Sequence, residues 1–86
     1  MKHTNTDKDL FKLITNDNEA AFSELFRRYD RHIYPFVLKM IKSASLAEAL
    51  TVAIFSKIWQ NRKELAFVDV PDEYIYNIAC IAIAKQ

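Results

Sequence analysis

The sequence predicts an all-α protein, a single compact domain of about four helices covering residues 1–86. Three observations lead there. The chain has no glycine and only two prolines, so the positive-φ turns that β-hairpins use have few natural candidates. Apolar residues recur at helical spacing along most of its length. The first three periodic stretches each open on a side chain suited to capping a helix, with an acidic residue soon after it.

The elements follow in order. Thr6 places a capping hydroxyl ahead of Asp7 and Asp9, and Leu10, Phe11, Leu13 and Ile14 supply an apolar stripe, which predicts a first helix over 7–15. Asn16 with Glu19 three residues on reads as a capping box for a long second helix. Its apolar positions run from Ala21 and Phe22 to Met40 and Ile41, and Pro35 is expected to bend or divide it. Ser45 and Glu48 form a third capping-box match, followed by a stripe of Leu50, Ile54, Phe55 and Ile58 that predicts a helix to about Gln60. The period is lost over 61–70, which reads as a loop. Pro71 then suits the first turn of a last helix, over 72–85, whose end at Lys85 and Gln86 carries no cap. Such an end fits a fragment, a truncated chain or a natural end whose last turn is frayed.

Composition bounds the function. At 51% hydrophobic and 13% aromatic the chain is too apolar for a disordered tail, and its 86 residues leave no room for a second domain. The single cysteine, Cys80, has no partner within the chain, and the N-terminus MKHTNTDKDL lacks the apolar core of a signal peptide. A soluble protein of the reducing cytoplasm is expected. Net charge is +1, so no global field announces nucleic-acid binding. Residues 61–86 hold three basic and four acidic side chains and are slightly acidic.

Chemistry-bearing patterns are sparse. His3 and His32 lack further ligands at metal spacing, and no glycine-rich phosphate loop, nucleophile motif or pair of carboxylates stands out. No enzyme, metal or cofactor is expected. Cys80, among apolar neighbours, reads as a small buried hydrophobe, and Trp59 on the stripe with Phe55 reads as core. Arg27, Arg28 and Arg31 cluster on the second helix, where Glu24 and Asp30 are placed to neutralise them.

Several strings carry a resemblance. The segment from Asn18 to Tyr29, with Glu19, Ala21-Phe22, Glu24-Leu25 and Arg28-Tyr29, resembles the opening of region 2 of the extracytoplasmic-function (ECF) sigma factors of bacterial RNA polymerase. Ile33-Tyr34-Pro35-Phe36, Ala47-Glu48 and the run Ile54 to Arg62, with Phe55, Ile58 and Trp59, are similar to that family's following helices. Glu73-Tyr74-Ile75-Tyr76-Asn77-Ile78-Ala79 looks like its Tyr-Leu-Tyr-x-Ile-Ala signature. Together these cover roughly residues 8–86. The resemblance implies a region 2-like bundle whose third helix docks on the clamp of the largest subunit of core RNA polymerase. It implies also that the next loop and last helix hold the melted minus-ten element of promoter DNA within the holoenzyme. Arg62, Lys63, Phe67, Tyr74 and Tyr76 are the DNA-binding residues so implied: cations for phosphates, rings for unstacked bases. A region 4 domain for the minus-thirty-five element is not within these residues.

The chain departs from the family at two places. The docking helix of the family presents an acid, a glutamine and another acid where this chain has Ala49, Val52 and Ala53. At 3.6 residues per turn these fall in one sector with Ser56 and Gln60, opposite Ala47, Ile54 and Ile58, so the helix is apolar on both sides. After Ile78-Ala79 the family tends to have Arg-Asn, and this chain has Cys80-Ile81. Two readings follow: a sigma region 2 acting in transcription initiation, or a degenerate sigma-like module. The second would use the face of Ala49, Val52, Ala53, Ser56 and Gln60 for a homodimer, an anti-sigma factor or another helical partner.

Overall fold

A computed structural model describes residues 5–86. The readings that rest on the first four residues, those of His3 and of the start of the segment MKHTNTDKDL, lie outside the described residues. The described chain is all-α: α1 (Asp7–Thr15), α2 (Glu19–Ile41), α3 (Ala44–Gln60), a 3₁₀ segment (Arg62–Phe67) and α4 (Pro71–Ala84). No helix among them is long and apolar enough to cross a membrane.

The starts of α1, α2 and α3 are set by short polar side chains, though not always the expected ones, and α4 starts on Pro71 without a side-chain cap. At α1 the box is complete: the Asp9 N–H donates to Thr6 Oγ1 at 3.1 Å, and the Thr6 N–H donates to Asp9 Oδ2 at 3.0 Å. Those bonds hold the Asp9 carboxyl below its usual range. At α2 the cap is Asn18 rather than Asn16, with Asn18 Oδ1 accepting from the Ala21 N–H at 2.9 Å. Asn16 closes α1 instead, its amide donating to the Lys12 carbonyl at 3.1 Å, and Asp17 at φ 66° turns the chain between the two helices. At α3 the cap is Ser43 rather than Ser45. Leu46 therefore occupies the position a capping-box acid would need, and Glu48 lies two residues too far along.

Pro35 does not divide α2, which is continuous from Glu19 to Ile41. Its own position is exposed, while Ile33 and Val37 on either side are fully buried, so packing holds both halves in line despite the missing donor. Residues 61–70 are also more ordered than the expected loop. Leu65, 2% exposed, pins the 3₁₀ segment against the bundle, and three residues per turn erase the 3.6-residue period that sequence patterning looks for.

One core joins all elements. Phe11 and Ile14 of α1, Leu25 and Ile33 of α2, Ile54 and Ile58 of α3, and Ile75 and Ala79 of α4 are each no more than 1% exposed. Aromatic pairs fasten its edges in tilted or edge-to-face geometry: Phe11 with Tyr74 at 5.9 Å, Phe22 with Trp59 at 5.1 Å, Phe26 with Phe55 at 5.0 Å and Phe36 with Tyr76 at 5.3 Å. An ion-pair cluster closes the α1–α2 seam. Arg28 donates to Asp7 and to Glu24, both at 3.0 Å, and the Tyr29 hydroxyl donates to the other Asp7 oxygen. The second acid on the arginine cluster is thus Asp7, from another helix, and not the expected Asp30.

Candidate interaction and nucleic-acid surfaces

The two faces of α3 differ in burial but hardly in polarity. Ala47, Ile54 and Ile58 are in the core, and the one buried polar residue among the described ones, Thr51, returns its hydroxyl to the Ala47 carbonyl at 2.8 Å. On the opposite side Ala49, Val52, Ala53, Ser56 and Gln60 are all exposed, Val52 by 59%. This sector carries no charge.

The sector is the crest between two grooves that periodicity does not reveal. Toward α4, Ala53 joins Leu50, Ile54, Tyr74, Ile78 and Ile81 around a groove of about 410 Å³, with Lys57, Glu64 and Lys85 also lining it. Toward α2, Val52 and Ser56 join Phe22, Phe26, Phe55 and Trp59 around another of about 580 Å³. The crest is legible in the sequence because it is a property of one helix. The grooves depend on how far α2 and α4 stand from it, a distance no single helix encodes.

The five residues named for DNA contact do not form one free surface. Arg62 donates from Nε to Asp17 Oδ1 at 2.6 Å and from a terminal nitrogen to the Trp59 carbonyl at 2.9 Å, and its guanidinium carbon lies 4.2 Å from the Trp59 ring centroid. Lys63 donates to the Thr15 carbonyl at 2.8 Å and to Asp17 Oδ1 at 3.4 Å. These bonds hold the Asp17 carboxyl below its ordinary range, Arg62 being the main cause. Tyr74 packs on Phe11 and donates its hydroxyl to Glu64 at 3.5 Å, and burial raises its phenol pKa. Tyr76 packs on Phe36. Phe67 is different: it sits at the end of the 3₁₀ segment, 87% exposed.

Two further side chains are placed otherwise than expected. Cys80 is exposed, because the buried line of α4 runs through Pro71, Ile75 and Ala79 and the next residue turns 100° away from it. Trp59 is half-buried, held between Phe22 and Arg62 at the rim of the core rather than within it. Among the described residues no group of three or more His, Cys, Asp or Glu is gathered as metal ligands are.

Fold and surface together define the class: a small all-α bundle with an uncharged exposed helix crest on α3 and a basic, aromatic 3₁₀ segment beside it. Comparisons with known protein families, with curated proteins and with solved structures each return no match.

Proposed function

We propose that this chain is a sigma region 2-like domain of the cytoplasm that acts in transcription initiation, docking on the clamp of core RNA polymerase through the outward face of α3. The observation that carries the reading is the joint exposure of Ala49, Val52, Ala53, Ser56 and Gln60 on the helix that the resemblance assigns to docking. A contiguous uncharged crest on a small domain supports a protein interface, since an apolar partner gains most where no charge must be desolvated. The promoter half of the reading, contact with the melted minus-ten element within the holoenzyme, is supported by the exposed ring of Phe67 and by Lys63, whose side chain is 70% exposed.

Capture by purified core polymerase tests it. The native chain is retained on immobilised core polymerase; failure of the native chain while Ala49→Asp/Val52→Gln/Ala53→Glu is retained would show that docking has been lost from this domain.

A second reading has its own support. The same crest lacks the polar groups of the family's docking helix, and both grooves beside it are mainly apolar. This favours a sigma-like interaction module that pairs with a second copy or with an anti-sigma or other helical partner. Sedimentation of the native chain distinguishes it: a dimer abolished by Val52→Asp supports the module, and a monomer at every concentration removes self-association.

A further inference from the structure

We infer that Arg62 and Lys63 form a phosphate-binding pair for single-stranded nucleic acid, and that the Asp17 carboxylate is an internal competitor occupying that pair. Both cations converge on a single oxygen, Asp17 Oδ1, Arg62 Nε at 2.6 Å and Lys63 Nζ at 3.4 Å. A phosphate oxygen presents the same acceptor chemistry to a guanidinium as a carboxylate does. Each cation has a partner besides Asp17. Arg62 is held by the Trp59 ring at 4.2 Å and by the Trp59 carbonyl at 2.9 Å, and Lys63 by the Thr15 carbonyl at 2.8 Å. Removing the carboxylate therefore leaves an oriented pair of donors without their anion.

The place is open to a ligand. The side chains of Asp17 and Lys63 are 57% and 70% exposed. Phe67 lies on the same segment, about 8 Å beyond Lys63 at the 3₁₀ rise of roughly 2 Å per residue, and offers a ring on which a base can stack. Occupied by Asp17, the pair keeps a net charge of +1 instead of +2, and its shared acceptor position is already filled where a phosphodiester oxygen would have to enter. That competition, together with the slightly acidic balance of residues 61–86, keeps the free domain off nucleic acid until a competing strand is held nearby. The inference deepens the promoter half of the proposed function and rests on it for the identity of the ligand.

The test is the affinity of the full chain for a short oligothymidylate at low salt. Asp17→Asn removes the anion while suiting the backbone, because asparagine tolerates the left-handed φ of 66° at this position. Should that variant not fold, Asp17→Gly, equally at home there, takes its place. Glu48→Gln, at an exposed position on α3, makes the same change in net charge elsewhere. Asp17→Asn is expected to bind about tenfold tighter than the native chain, Glu48→Gln to bind as the native chain does, and Asp17→Asn/Arg62→Gln/Lys63→Gln to lose the gain. The inference is overturned if the Asp17 variant binds no tighter than Glu48→Gln, fails to bind at all, or keeps its gain without Arg62 and Lys63. Polymerase capture does not involve Asp17, so either proposal can fail while the other stands.

Discussion

Arg62 lies over the ring of Trp59, 4.2 Å from its centroid, and donates to the carbonyl of the same residue at 2.9 Å. Trp59 in turn packs on Phe22 at 5.1 Å, so one arginine ties the end of α3, the 3₁₀ segment and α2 into a single stack. Asp17 extends that stack to the α1–α2 turn. A residue that the resemblance assigns to DNA is therefore also a strut of the fold.

Arg62→Ala is accordingly expected to destabilise the domain by about 1–2 kcal/mol, combining a part-exposed cation–π contact with lost hydrogen bonds. Arg62→Lys should restore little of it, because an ammonium cannot serve the ring, the carbonyl and Asp17 at once. Urea unfolding followed by circular dichroism measures both, and a native-like midpoint for Arg62→Ala would remove the strut.

The split between the faces of α3 gives a sharper contrast. Ile58 is fully buried and Val52 is 59% exposed on the same helix. Ile58→Val should cost about 0.5–1.5 kcal/mol, whereas Val52→Ala should stay within about 0.5 kcal/mol of the native chain. Equal losses at the two positions would mean that Val52 is covered within the monomer.

Alkaline pH should loosen the α1–α2 seam. Burial first, and then the Asp7 carboxylate that accepts its proton, push the Tyr29 phenol well above the usual range. A group whose folded pKa is raised contributes stability that is complete below its unfolded pKa, about 10 for tyrosine, and is lost as pH rises beyond it. The stability difference between the native chain and Tyr29→Phe should therefore be constant up to about pH 9.5 and shrink steadily from about pH 10 upward. A difference that stays constant above about pH 10, read from urea midpoints, would contradict the coupling.

Acid acts through the other end of the cluster. Hydrogen bonds from Arg27 and Arg28 hold the Glu24 carboxyl below its usual value. The sign is opposite to that of Tyr29: this contribution is present above the unfolded carboxyl pKa of about 4.3 and is lost as pH falls through the lower folded value. Glu24→Gln should flatten the acid limb of the stability profile without altering the neutral plateau's slope, which thermal melts at a series of pH values will show.

Much of the fold is legible in the sequence because it rests on periodic burial. The stripes through Leu10 and Ile14, Ile33 and Val37, and Ile54 and Ile58 are the core, and the α1 bounds and the α3 end follow from them. Helix starts are less legible, since Asn16 and Asn18, or Ser43 and Ser45, are chemically equivalent candidates and only the backbone turn at Asp17 or Lys42 chooses between them. The 3₁₀ segment is hidden by its own three-residue period. On the candidate surfaces, the exposed crest of α3 is visible from one helix alone, but the contacts of Arg62 and Lys63 with Asp17 span more than forty residues and leave no local trace. Cys80 differs by a single step around α4, the difference between the line of Ala79 and the solvent beside it.

The most direct measurement for the α3 crest is the affinity of purified core polymerase for the native chain and for Val52→Arg, both shown by melting to be folded. Docking through the crest predicts that the native chain binds and that Val52→Arg loses at least about tenfold, because a cation is then desolvated at the centre of an uncharged interface. Equal affinity of the two chains, or no binding by the native one, would contradict it.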